Sequence, residues 1–132
     1  MQFKGKKGLI LGVANDHSIA WAIAKQIMDQ GGECGFTHLP DRADDERQRN
    51  RRRVSQLTDK YENAKEQFGK IDFMLHSIAF ADRDDLSRDT VETSRAGFKL
   101  AMDVSVYTLI ACTNAAKGIM NPGGAIATMT YF

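Results

Sequence analysis

An α/β fold built on a mostly parallel sheet is what this sequence predicts, and three observations predict it. Short, nearly continuous apolar runs at Gly8–Ala14, Cys34–Leu39, Ile71–Ala79 and Ala125–Phe132 alternate with stretches of helical periodicity, the pattern of strands buried on both faces with crossover helices between them. Glycine and proline mark the changes of period, at Gly31-Gly32, Pro40, Gly69 and Asn121-Pro122-Gly123-Gly124. With 132 residues, 42% apolar and 27% charged, the chain has the length and balance of one soluble domain around one core.

Each element follows from its own residues. Gly8-Leu9-Ile10-Leu11-Gly12-Val13-Ala14 reads as a buried first strand. Ser18–Gln30 repeats apolar residues at 19, 23 and 27 and at 20, 24 and 28, a helical face, and Gly31-Gly32 supplies a left-handed cap. Cys34–Leu39 is a second strand ended by Pro40, which has no N–H for the ladder. Val54, Leu57, Tyr61, Ala64 and Phe68 are spaced as one amphipathic stripe, predicting a helix over 54–68 capped by Gly69. Ile71–Ala79 is a third strand, Phe98–Met120 a long helix apolar on both sides, 121–124 a turn, and Ala125–Phe132 a fourth strand. Residues 40–70 have room for one helix and no strand, so the expected sheet order is 2-1-3-4. A right-handed crossover then puts helix 54–68 on the face opposite helix 18–30. The fourth strand is apolar, uncharged and unpaired on one side, a template for aggregation, which is expected of a fragment or shortened version of a longer protein.

Charge excludes several function classes. Lys+Arg 18 against Asp+Glu 17 leaves a net charge of +1, so no global field draws the chain to nucleic acid or a membrane surface. Residues 41–53 hold six arginines but also four acids, a solvated face rather than an RNA-binding arm. No apolar run approaches the roughly 18 residues of a membrane span, and the basic start is followed only by Gly8–Ala14 before polar residues. The expectation is a cytoplasmic protein without membrane partners. Cys34 and Cys112 form no Cys-x-x-Cys pair, which fits buried thiols in a reducing compartment, and His17, His38 and His76 show no metal-ligand spacing. No metal is expected.

The chemistry-bearing segment is Gly12-Val13-Ala14-Asn15-Asp16-His17-Ser18-Ile19-Ala20, between the first strand and the first helix. A glycine at a strand end lets a ligand approach the backbone, and the free N–H groups and positive dipole end of the helix suit a pyrophosphate. The usual Gly-x-Gly-x-x-Gly is absent, so an ordinary turn with Ser18 as N-cap stays open. In an open parallel sheet the ligand crevice lies past the carboxyl ends of strands where the winding reverses, between the first and third strands here. That position sets Gly12–Ser18 against Ser77–Ala79, with Tyr131 at the same edge one strand on.

Gly12-x5-Ser18-x-Ala20, Lys70-Ile71-Asp72-Phe73 through His76-Ser77-Ile78-Ala79-Phe80, Thr93-Ser94-Arg95 with Phe98, and Ala127-Thr128-Met129-Thr130-Tyr131 together resemble the bacterial NADH-dependent enoyl-acyl-carrier-protein reductases. These are a divergent branch of the short-chain dehydrogenase/reductases, and the likeness covers roughly residues 4–39 and 65–132. The resemblance implies a Rossmann-like three-layer sandwich, here incomplete, with residues 1–132 as one partial dinucleotide-binding domain. It implies that Gly12, Ser18 and Ile19 hold the pyrophosphate side of NADH, that Ser77, Ile78 and Ala79 line the ribose–nicotinamide side with Met129 nearby, that Ala81 touches the acyl substrate, and that Tyr131 is the first of two active-site tyrosines. In the family a hydride passes from the nicotinamide to the β-carbon of an enoyl thioester on acyl carrier protein, in fatty acid biosynthesis. The helix matching 98–120 pairs across a two-fold axis, so a homo-oligomer is expected of the full-length form.

Two departures qualify the resemblance. The family's second tyrosine and its lysine follow the fourth strand and are not among these residues, so low or no activity is expected of the 132 residues alone. The family also has a strand with an Asp-hydrophobic pair beside the adenine, for which residues 40–70 leave no room. His38-Leu39-Pro40-Asp41-Arg42 offers both an acid for ribose hydroxyls and an arginine for a 2′-phosphate, and the resemblance tilts this to NADH. Two other readings are a non-catalytic dinucleotide-binding or oligomer-modulating module, and another short-chain reductase with a carbonyl substrate. Tyr131 with Ser77–Phe80 favours the enoyl branch over the latter.

Overall fold

The structure is a computed structural model that describes residues 1–59 and 68–130. The chain divides into two compact units, Met1–Ser77 with Ile119–Phe132, and Ile78–Gly118. The first unit holds β1 (Lys7–Leu11), α1 (Ile19–Asp29), β2 (Glu33–Phe36), α2 (Arg49–Thr58), β3 (Ile71–His76) and β4 (Met120–Thr128). All four strands are parallel, in the order β2-β1-β3-β4, the order read from the sequence. Parallel pairing requires long crossovers, and the alternation of apolar runs with helical stripes encodes them.

α1 forms where its two apolar rows predict it. Its Ala20, Trp21, Ala24, Ile27 and Met28 are buried against Ile10, Cys34 and Leu75 of the sheet. Its end is a Schellman motif: Gly31, at φ +87°, donates its N–H to the Met28 carbonyl at 2.9 Å, and Gly32 to Ile27 at 3.0 Å. The Trp21 ring lies 5.7 Å from Phe36. Burial also pushes the Cys34 thiol up to about 12, so it stays protonated and packs as an apolar group.

Three expectations need correction. α2 starts at Arg49, so Arg49–Arg53 of the arginine-rich stretch form its opening turns, and the Tyr61 and Ala64 positions of the predicted helix lie outside the described residues. α2 also shares α1's face: its Val54 is buried in the same cluster as Trp21 and Ala24. Phe68 lies against Gly35, whose absent Cβ points away from that cluster, so the chain is on the opposite face by residue 68. Third, Asn121–Gly124 is not a separating turn, for β4 already begins at Met120. The register passes from Ile71 opposite Met120 to Phe73 opposite Ala125, so Asn121–Gly124 bulge out of the ladder, with Gly123 at φ +79°.

Two contacts fix the lower half of the sheet. The Asp72 carboxylate accepts from the Lys7 backbone N–H at 2.9 Å, from Asn121 Nδ2 at 3.1 Å and from Lys6 Nζ at 3.3 Å, tying the starts of β1, β3 and β4. Gly8 lies opposite Phe73, and a Cβ on it would overlap the Phe73 ring. The ring, held edge-on by Phe3 at 6.2 Å, occupies the space a side chain would take.

The second unit holds α3 (Arg83–Leu86), a 3₁₀ turn (Thr90–Glu92), α4 (Arg95–Met102), a π-helical turn (Asp103–Tyr107) and α5 (Thr108–Ala116). Its long helix therefore begins at Arg95 rather than Phe98 and ends before Met120. Ser94 caps it by accepting from the Gly97 N–H at 2.9 Å, and Asp85 accepts from the Ser94 N–H and hydroxyl at 3.0 and 2.9 Å. Arg95–Ala116 is long and apolar enough, by length and composition only, to cross a membrane. Lys99 and Asp103 interrupt its apolar run, so run length alone does not mark it. Phe98, Met102, Val106, Tyr107 and Ile110 are exposed along it.

The Asp72 hub makes a pH-dependent stability prediction. Three donors hold its carboxyl below the usual range, the Lys7 N–H first among them. A depressed folded-state pKa adds stability that is present above the unfolded value of about 3.9 and lost as pH falls through the folded one. Asp72→Ala should lower the unfolding free energy by about 2 kcal/mol near neutral pH, and urea titrations should show the gap from the unsubstituted chain shrinking as the pH falls below about 4. A gap independent of pH contradicts the assignment. Gly8→Ala should cost about 1–3 kcal/mol by overpacking, with part recovered in the Gly8→Ala, Phe73→Leu double variant.

Candidate functional site

The carboxyl end of the sheet in the first unit is where the sequence reading placed a ligand. β1 ends at Leu11, and Gly12 turns the chain with φ +95°, a conformation that disfavours any Cβ. The turn that follows is ordered from within. The Asn15 side-chain oxygen accepts from the His17 N–H at 2.9 Å, and the Asn15 carbonyl from the Ser18 N–H at 3.2 Å.

Ser18 does something other than capping α1. It stands at the N-cap position with extended backbone, yet its side chain makes no bond to the helix. Its hydroxyl oxygen instead accepts from the Ala14 and Asn15 N–H groups at 3.0 and 3.1 Å. The Ser18 carbonyl takes the N–H groups of Trp21 and Ala22. Ile19 and Ala20 have no carbonyl one turn back within the helix, and no serine oxygen covers them. A helix start whose cap looks backward leaves its N–H groups and positive dipole end for an anion.

The neighbouring strand ends meet this turn. Leu11 is in register with His76, and the Ser77 N–H donates to the Leu11 carbonyl at 3.0 Å. On the other side the Met129 N–H donates to the His76 carbonyl at 3.1 Å. Gly12, Ser77 and Met129 thus leave three adjacent strands at one edge. Between them lies His76, 1% exposed, with Nδ1 3.3 Å from the Thr128 hydroxyl. Burial pushes the His76 pKa below its ordinary value, so the ring is neutral at physiological pH. In the sequence His76 is marked only as a polar residue closing an apolar strand. Ile78, Ala79 and Ala81 belong to the second unit, where they lie in the irregular segment before α3. Tyr131 lies outside the described residues.

The acid expected to meet ribose hydroxyls is committed elsewhere. The Asp41 carboxylate accepts from the Asn50 N–H at 2.7 Å and the Arg51 N–H at 3.3 Å, capping the start of α2. Asp45 likewise takes the Arg49 guanidinium at 2.8 Å, which holds its carboxyl below the usual range. Asp41 and Asp45, two of the acids of 41–53, therefore serve helix initiation. Among the described residues no three His, Cys, Asp or Glu side chains converge as metal ligands.

Comparison with known proteins agrees with this geometry. The family model described as enoyl-(acyl carrier protein) reductase matches residues 12–132. The enoyl-acyl-carrier-protein reductase (NADH) FabI of Nostoc sp. is 36% identical over 151 residues, covering 99% of this chain and 57% of the relative. A Rhizobium meliloti enoyl-acyl-carrier-protein reductase (NADH) is 38% identical, covering 97% of this chain and 52% of the relative. The crystal structure of the Aquifex aeolicus enzyme superposes with a TM-score of 0.87 at 32% identity, over 99% of this chain and 57% of that one. The Anaplasma phagocytophilum enzyme in complex with NAD gives 0.86 at 32% identity, over 99% and 55%. The chain thus spans about half the length of the relatives it matches. By family model, sequence and fold, this chain belongs to the enoyl-acyl-carrier-protein reductase family.

Proposed function

We propose that this chain carries the NADH-binding half of an enoyl-acyl-carrier-protein reductase of fatty acid biosynthesis, acting in the cytoplasm. The observation that carries the reading is the start of α1: a left-handed Gly12, a serine turned back onto the loop, and helix N–H groups free of a side-chain cap. Gly12, Ser18 and Ile19 are assigned to the pyrophosphate side. Ser77, Ile78, Ala79 and Met129 are assigned to the ribose and nicotinamide, Ala81 to the acyl chain, and Tyr131 to the enoyl thioester.

NADH supplies the hydride in such a reaction; the protein's share is to hold the cofactor and set substrate against it. Three strand ends in register give a rigid edge for that purpose, and the neutral, buried His76 stiffens it without adding charge. With Asp41 spent on α2, discrimination against a 2′-phosphate would rest on other groups. The related Bacillus cereus enzyme was crystallised with NADP+. The exposed face Phe98, Met102, Val106, Tyr107 and Ile110 is assigned to self-association of the longer protein.

Trp21, the one tryptophan, sits in the first turns of α1 and reports on the site. NADH should quench its emission saturably. Ser18→Ala leaves two turn N–H groups without an acceptor and should weaken NADH about tenfold, and Gly12→Ala should weaken it at least as much while costing about 1–2 kcal/mol of stability. A folded chain that does not bind NADH contradicts the proposal. Consumption of NADH with a crotonyl thioester separates a catalytic chain from a binding module.

A further inference from the structure

Ser105 lies in the π-helical turn Asp103–Tyr107, between α4 and α5. A π turn is rare, is less favourable than the α-helix it interrupts, and persists mostly where it serves a site. Here the widened turn is supported by Thr108, whose hydroxyl donates to the Val104 carbonyl at 2.6 Å. Its effect is to aim Ser105 at the segment 78–81. The Phe80 N–H donates to Ser105 Oγ at 3.1 Å, and the Ser105 hydroxyl donates to the Phe80 carbonyl at 3.1 Å. One hydroxyl, as both acceptor and donor, satisfies both polar groups of a residue in neither helix nor strand.

We propose that Ser105 is a positioning residue that fixes the Ile78–Ala81 segment, and through it the nicotinamide and acyl ends of the site. The inference rests on the cofactor reading above, in which Ile78, Ala79 and Ala81 face those groups. These three residues lie within two positions of Phe80, so the clamp sets their backbone directly. The Phe80 side chain is itself half exposed and supplies little packing to hold the segment in its place. Apolar side chains at 78, 79 and 81 have no polar groups with which to orient themselves. A hydroxyl on the neighbouring helix does it for them. Displacements of an ångström in such a segment are enough to misplace a bound ring.

The role separates two halves of one ligand. ADP lacks the nicotinamide half and so makes no call on the segment 77–81, whereas NADH on this reading does. The full chain is titrated with NADH and with ADP, following Trp21 emission for NADH and calorimetric heat for both. Ser105→Ala should raise the NADH Kd roughly tenfold and leave the ADP Kd unchanged. Ser105→Thr and Ser105→Val form a matched pair of one shape: threonine should restore NADH binding, valine should not, and the pair carries the test if alanine fails to fold. Equal NADH affinity in all four proteins overturns the role of Ser105, as does a parallel loss of ADP and NADH, which marks a general structural effect. An unsubstituted chain that binds neither ligand overturns the cofactor reading instead.

Discussion

The pairing of Leu11 with His76 is the constraint on which the site depends. Because β1 is bonded in parallel to β2 and β3 at once, and β3 to β4, one register decides where three chain segments leave the sheet. Parallel ladders carry evenly spaced bonds, and a slip of one residue would turn every side chain to the other face. Ile10, Cys34 and Leu75 in the α1 cluster lock that register by burial. At the opposite end Asp72 locks it by hydrogen bonds, reaching β1 through Lys7 and β4 through Asn121. Gly12, Ser77 and Met129 come level as a consequence, and Ser77 and Met129 each extend the ladder by one bond, to the Leu11 and His76 carbonyls.

Much of this was legible in the residues. The strand cores, the extent of α1, its two-glycine ending and the sheet order follow from apolar runs, a helical stripe and chain direction. What escaped had a definite physical origin in each case. Asn121–Gly124 carries every mark of a turn, yet Met120 pairs with Ile71 and Asn121 bonds to Asp72, so tertiary contacts draw a turn-like sequence into a bulged strand. The arginine-rich stretch lacks an apolar stripe over its first turn, and its helix is started instead by Asp41 and Asp45. The π turn has no sequence signature, since it is fixed by what Ser105 and Thr108 can reach.

The site shows the same division. Gly12 was identifiable because left-handed backbone selects glycine, and Ser18 because a hydroxyl at a helix start has few uses. Which of those uses applied could not be read, for capping forward onto α1 and bracing backward onto Ala14 and Asn15 need the same residue at the same position. His76 was visible only as a polar residue ending an apolar strand. Its importance comes from burial, which keeps it neutral between β3 and β4. The relatives align over 151 and 148 residues against 132 here, so they carry positions without a counterpart in this chain. β2 is accordingly the last strand on its side of the sheet among the described residues.

The account stands on anion binding at the start of α1, and amide-resolved NMR tests it most directly. Adding ADP-ribose to the ¹⁵N-labelled chain should move the signals of Gly12 and of Ile19 and Ala20 furthest, while core amides such as Ile10 and Ala24 stay in place. Shifts centred on the arginines of α2, or none at all in a chain whose core signals remain dispersed, would contradict it.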